Sequence, residues 1–298
     1  DTSPQSRGYL TNSYMSGQKV QEMIFHAMDA RYALIQKGLS VSLVGEQNRK
    51  AIKNLESIIV DNHFRASKGN SNIVQMAYGD DCADTRYVEK NKFPTVMCSE
   101  EDLKKNYKSV AKDFPKWKKN ADKLDEYLLK EYDQIVADRN TYRDIFMKIE
   151  SQSNELFSDS KMVPFNIKRI ISNVVNSVGS DKTSVLADPI ESIKMVAEFC
   201  EDMPYVFFNE GMRRTKTKFA DRFRGCLTLS IILVRSYLCT KQLLTKGINE
   251  TLLRMILDRI YITFKSALVD FGTAVGIIAA QSISEPMTQM VLNSHHRS

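Results

Sequence analysis

The chain has 298 residues, 43% hydrophobic and 26% charged with a net charge of +6, proportions of an ordinary globular chain that permit a nucleic-acid partner without demanding one. Its five cysteines form no C-x-x-C pair, and its four histidines join no cluster at zinc spacing, which argues for reduced thiols and against a structural zinc site. No apolar run approaches the roughly 18 residues of a membrane span. The longest, "CLTLSIILV" (226–234), lies among Arg222, Arg224 and Arg235, and "DTSPQSRGYL" at the start has no signal-peptide pattern.

Residues 1–17, rich in Ser, Thr and Gly, read as a loop. From about Gln18 to Glu56 a helical pattern runs with little interruption, which corresponds to a rod of roughly 55–60 Å. Gly38 and Gly45 lie inside it, each costing about 1 kcal/mol relative to alanine, so a kink or local melting is expected there. His26, near Met23, Phe25 and Met28, reads as a packed, hydrogen-bonded core histidine. Residues 57–92 mix short apolar runs with turn signals, and "NSNIVQMAYGDD" (70–81) is the best strand or hairpin candidate.

Charged helical segments follow, with a break at Pro115 and a run from about Lys116 to Ile149. After Pro164, Ile167, Ile170, Ile171, Val174 and Val175 recur at helical spacing. "VGSDKTSVLADP" (178–189) reads as a loop, followed by helices over 190–200, about 217–244 and 249–268. "VDFGTAVG" (269–276) interrupts the pattern before a last helical stretch. The fold class is mainly α, multi-helical, with one long helix and a minor β-hairpin element.

Three short motifs invite stronger readings. "YGDD" (78–81) looks like a metal-binding hairpin tip of RNA-dependent polymerases, but a third carboxylate on a preceding strand is missing and the upstream sequence is helical, so a solvated turn is the better reading. "DFG" (270–272) has no kinase motif to accompany it. "GMRRTKTKFADRFRG" (211–225) and "PKWKKNADK" (115–123) could meet phosphates; an amphipathic helix that buries Phe219 and Phe223 under a solvated basic face is favoured for the first.

The last helical stretch is different. Gln289, Leu292, Asn293 and His296 follow i, i+3, i+4, i+7 and share one face. Glutamine and asparagine offer paired donors and acceptors, leucine an apolar surface, and histidine a donor that can be cationic near neutral pH. Such a face could read a sugar edge, pack on a base and bond a phosphate; by spacing alone it could equally be an ordinary polar surface.

Four stretches resemble one family, the largest subunit of multisubunit DNA-directed RNA polymerases of eukaryotic or large-DNA-virus type. "AVGIIAAQSISEPMTQMVLN..H" (274–296) is similar to the trigger-loop start V-G-x-x-A-A-Q-S-I-G-E-P-x-T-Q-M-T-L-N-T-F-H. "RGYLTNSYMSGQKVQEMIFHAMDARYALI" (7–35) is similar to the approach to the bridge helix, "GNSNIVQMAYGDD" to G-N-V-I-Q-F-x-Y-G-x-D, and "VPFNIKRII" to L-P-V-N-I-R-R-I-I.

The resemblance implies a leading loop over 1–17, a bridge helix over 18–56, a cleft segment over 57–92, a helical foot over 93–262, and a cleft return with the first trigger helix over 263–298. It implies that Gln289 and Asn293 contact the ribose of an incoming nucleoside triphosphate. Leu292 would pack on the base, and His296 would approach the β-phosphate as the catalytic residue. Val41 and Ser42 would abut the template base, with Arg49 and Lys50 on template phosphates. The departures lie at "DARY" (29–32), which keeps Arg31 of G-G-R-E, and at "QKGLSVSLVGE" (36–46), which keeps Gly45 of the usual D-T-A-V-K-T-A-x-x-G-Y. Glu46 stands where a tyrosine is usual, and Ser284 where a glycine is usual.

The three-aspartate motif that binds catalytic Mg²⁺ is absent from the sequence, so no cofactor is expected on this chain. Mg²⁺ is expected in the assembled enzyme, from a segment not contained here. Expected partners are the remainder of the largest subunit, the second-largest and other polymerase subunits, DNA template, RNA and nucleoside triphosphates, with no membrane. The expected location is intracellular, nucleus or cytoplasm, with the virion as well for a viral enzyme. The competing expectation is a non-catalytic interaction or regulatory protein that retains a degenerate polymerase-subunit fold.

Overall fold

In a computed structural model of the chain, residues 2–69, 72–114, 121–153, 159–178, 188–207 and 218–293 are described. Its regular elements are helices α1 (Val20–Leu55), α2 (Glu100–Tyr107), α3 (Ala121–Ser153), α4 (Ile167–Val178), α5 (Pro189–Asp202), α6 (Lys218–Tyr237), α7 (Thr240–Lys246), α8 (Glu250–Ser266) and α9 (Val275–Asn293). The strands are β1 (Ile58–Val60), β2 (Ala66–Lys68), β3 (Asn72–Gln75), β4 (Glu89–Lys92) and β5 (Ser160–Val163). The fold is mainly α with a minor β element. Two compact units divide it: residues 1–75 with 271–298, and residues 76–270.

In the first unit α1 runs for 36 residues, about 54 Å, with no break at Gly38 or Gly45. A glycine lacks only its Cβ and still donates and accepts in the ladder, so its penalty of about 1 kcal/mol is absorbed by so long a cooperative helix. Strands β1, β2 and β3 form an antiparallel meander, so the hairpin expectation at 70–81 is met by β3; residues 70 and 71 lie outside the described ones. The returning chain lies beside β1: Val60 N–H donates to the Thr273 carbonyl at 3.1 Å and Gly272 N–H to the Val60 carbonyl at 2.8 Å. Phe271 rests on Phe64 with ring centroids 4.8 Å apart, which gives the "DFG" stretch a packing role.

The second unit holds the larger core. Strand β4 pairs antiparallel with β5, and the buried Asn91 side chain donates to the Phe165 carbonyl at 2.8 Å. Phe264 of α8, 1% exposed, meets Phe165 and Phe207 edge-on at centroid distances of 6.3 and 6.0 Å. Phe223 is buried and stacks on Phe207 at 4.4 Å, as its amphipathic reading anticipates, while the basic residues Arg213, Arg214 and Lys216 lie outside the described ones. Short polar residues cap three helices: Ser99 accepts from Asp102 N–H, Asp188 from Ile190 N–H, and Asn249 from Leu252 N–H.

The continuous helix expected over 217–244 is in fact α6 and α7, bent by 51° at Leu238–Cys239. No glycine or proline marks the break. The carboxylate of Glu131 on α3 accepts from the Thr240 backbone N–H at 2.9 Å and from its hydroxyl, so it caps the new helix from 109 residues away. Burial raises the Glu131 carboxyl above the ordinary range, against the lowering by those two bonds. Among the described residues no single helix is long and apolar enough to cross a membrane.

The "YGDD" stretch is a 3₁₀ turn rather than a hairpin tip. Asp81 accepts from Ala83 N–H at 3.1 Å, and burial raises its carboxyl above the usual range. No group of three or more His, Cys, Asp or Glu among the described residues is placed to hold a metal ion.

Candidate functional site

Apart from His296, the site residues proposed from the sequence fall on α1 and α9, which pack against each other in the first unit. On α1 the covered positions Val44, Asn48, Ala51, Ile52 and Leu55 follow helical spacing; on α9 they are Val275, Gly276, Ala280, Ser284 and Met287. Gly276 sits against the carbonyl of Leu55, so closely that a Cβ there would lie 2.0 Å from that oxygen and 2.9 Å from Ile58 Cβ. Two turns further along α9, Ser284 Oγ is 2.9 Å from Asn48 Oδ1. Gly276 meets Leu55 and Ser284 meets Asn48, so the two helices run antiparallel.

That register brings the two sets of candidate residues toward one end of the pair. Val41 lies about 10 Å beyond Asn48 on α1, and Gln289 about 7.5 Å beyond Ser284 on α9, in the same direction. Val41, Ser42 and Gln289 are exposed. Leu292 and Asn293 lie on the last turn of α9. His296 lies outside the described residues.

Arg49 and Lys50 are both exposed, one turn or less from Asn48. Lys50 pairs with Glu46 at 2.8 Å, with side chains 71% and 61% exposed. A helical pair this exposed contributes roughly 0.3–0.5 kcal/mol, so a phosphate could displace the carboxylate at little cost.

The far end of α1 is tied by Glu22, which is 6% exposed. Its carboxylate accepts from Lys19 N–H at 2.9 Å, from the Thr11 hydroxyl at 2.7 Å and backbone N–H at 3.1 Å, and from the Asn12 amide at 3.0 Å. The bond from Lys19 leads in lowering its pKa from 4.5 to about 2, followed by those from Thr11 and Asn12. A depressed carboxyl stabilises above its unfolded pKa, and that contribution disappears as pH falls through the folded value. Acidification from pH 5 to pH 2 is therefore expected to speed amide hydrogen exchange at Thr11 and Lys19 beyond the intrinsic change, and Glu22→Gln to abolish this pH dependence.

His26 is half-buried rather than core. Its Nδ1 accepts from the Gln18 amide at 2.9 Å, and its ring lies 4.4 Å from that of Tyr14. Much of the rest of α1 is bare: Met23, Met28, Tyr32, Leu34, Val41 and Leu43 are each more than half exposed. Sequence reasoning missed the contact between Asn48 and Ser284. Its one visible sign was a serine at a position where the resembled pattern carries glycine.

The sequence model of the family described as RNA polymerase Rpb1, domain 5, matches residues 17–298. Two DNA-directed RNA polymerase RPB1 homologs of African swine fever virus, from a pig isolate (Kenya) and a tick isolate (Malawi), are similar to the chain. Each is 37% identical over 302 residues, covering 99% of this chain and 19% of the relative. The chain thus spans about a fifth of the length of the curated relatives it matches.

Proposed function

Since the chain belongs to the RNA polymerase Rpb1 domain 5 family, we propose that it works as part of a largest polymerase subunit in template-directed RNA synthesis, with α1 as bridge helix and α9 as the first trigger helix. The observation that carries this reading is the antiparallel α1–α9 pair, which directs Gln289 and the Val41–Ser42 segment toward the same end of one unit. The bridge would offer Val41 and Ser42 to the template base, and Arg49 and Lys50 to its phosphates. Gln289 and Asn293 would hold the ribose hydroxyls of the incoming nucleoside triphosphate, with Leu292 against its base and His296 donating toward the β-phosphate. These are acts of orientation and charge stabilisation, which is most of what a protein contributes to phosphoryl transfer.

When bound, Mg²⁺ would supply charge neutralisation at the phosphates; its carboxylates would come from another part of the subunit. The remaining subunit and its partner subunits would also cover the exposed apolar side chains of α1. The reading places the chain inside the cell, at the site of transcription.

The test is single-nucleotide addition by the assembled polymerase. Asn293→Ala and Gln289→Ala are each expected to lower kcat/KM about 10- to 100-fold, because a polar site that loses its substrate bond is left unpaired. His296→Ala is expected to lower kcat more than it raises KM. Unchanged addition in all three variants would favour a non-catalytic protein that keeps the fold.

A further inference from the structure

We propose that Ser284 and Asn48 form a latch that positions the trigger helix on the bridge helix; the inference rests on the reading of α9 just given. Ser284 is 5% exposed, and its hydroxyl oxygen lies 2.7 Å from the Ala280 carbonyl and 2.9 Å from Asn48 Oδ1. A serine hydroxyl carries one proton, so it cannot donate to both at once. With the Asn48 amide turned to present its NH₂, Ser284 donates to Ala280 and accepts from Asn48, and every partner is satisfied. The serine thereby ties helices whose contact residues are 236 apart in sequence.

The latch stands at a particular place on α9. Two residues beyond it, Pro286 has no N–H to offer the Ser282 carbonyl, and its ring crowds that turn. Before this weak point α9 keeps one covered face, with Val275 at 5%, Ala280 at 0% and Ser284 at 5% exposed. Beyond it Thr288, Gln289 and Met290 are exposed. The Ser284 carbonyl also accepts from the Thr288 hydroxyl at 2.9 Å, so one residue joins the anchored part of the helix to the part that leads to Gln289. The latch fixes the base from which the substrate face is aimed, and Pro286 lets the far turns adjust around it. Ser284 and Asn48 are positioning residues; neither reaches the substrate.

The test uses the assembled polymerase with ATP and dATP added opposite a template thymine. Ser284→Ala, Asn48→Ala and the double variant are each expected to lower the ATP rate about 3- to 10-fold, the double no more than either single, with the ATP/dATP ratio falling in step. Ser284→Thr, which keeps a hydroxyl, is expected to restore most of the rate. Single effects that multiply in the double variant would overturn the latch, and so would an unchanged ATP/dATP ratio, since mere loss of folded enzyme scales both rates alike. Gln289→Ala in the same preparation separates the two claims. If it is impaired while the Ser284 and Asn48 variants are not, the latch alone fails; if it too is silent, the reading of α9 fails with it.

Discussion

On the reading of α9 proposed above, replacing Gly276 with alanine is expected to cost the assembled polymerase most of its nucleotide addition, about 100-fold, together with roughly 3 kcal/mol of stability in the α1–α9 unit. The added methyl would sit 2.0 Å from the Leu55 carbonyl oxygen. That oxygen is backbone at the end of α1, so no rotamer change relieves the overlap; the helices themselves must part by more than an ångström. Such a shift at the base of α9 breaks the 2.9 Å contact between Ser284 and Asn48 and displaces everything beyond it. Gly38→Ala is the control: a Cβ there meets nothing within 4 Å, and the gain in helix propensity is about 1 kcal/mol. Thermal unfolding and single-nucleotide addition, measured on both variants, check the contrast. Equal behaviour would show that the close approach is not what holds the pair.

The second large effect is expected in the other unit. Phe264→Ala removes a side chain that is 1% exposed and meets Phe165 and Phe207, with Phe223 stacked behind the latter. Deleting a buried phenylalanine costs about 3–5 kcal/mol, through lost burial and the cavity left behind. Hydrogen exchange is expected to rise across α4 and α8 while protection in α1 and α9 stays as it was. Exchange that rises equally in both units would mean that they unfold as one.

The long helix was legible because thirty-odd residues keep one period, and Asn249 was legible as the start of α8 because its side chain caps the next turn. The polar spacing of the 289–296 face could also be read directly, as could the hairpin signal that became β3. What escaped was tertiary. The bend between α6 and α7 has no local signal, because its cap is Glu131 from α3. Strands β4 and β5 pair although α2 and α3 separate them in sequence, and neither alternates clearly enough to announce a strand. The helix runs through Gly38 and Gly45 without melting, because two missing side chains are a small perturbation on a ladder of this length. The meeting of Asn48 with Ser284 belongs to the same class: residues 236 apart carry no local sign of their partner.

The bare surface of α1 has a consequence for how such a chain must be made. Met23, Met28, Tyr32 and Leu34 stand in water along its first half. Synthesised without its neighbours, a rod so clad would be sought out by chaperones or would clump with its own copies. On the proposed reading, soluble yield from a producing cell should rise when the subunits that would cover α1 are made alongside it.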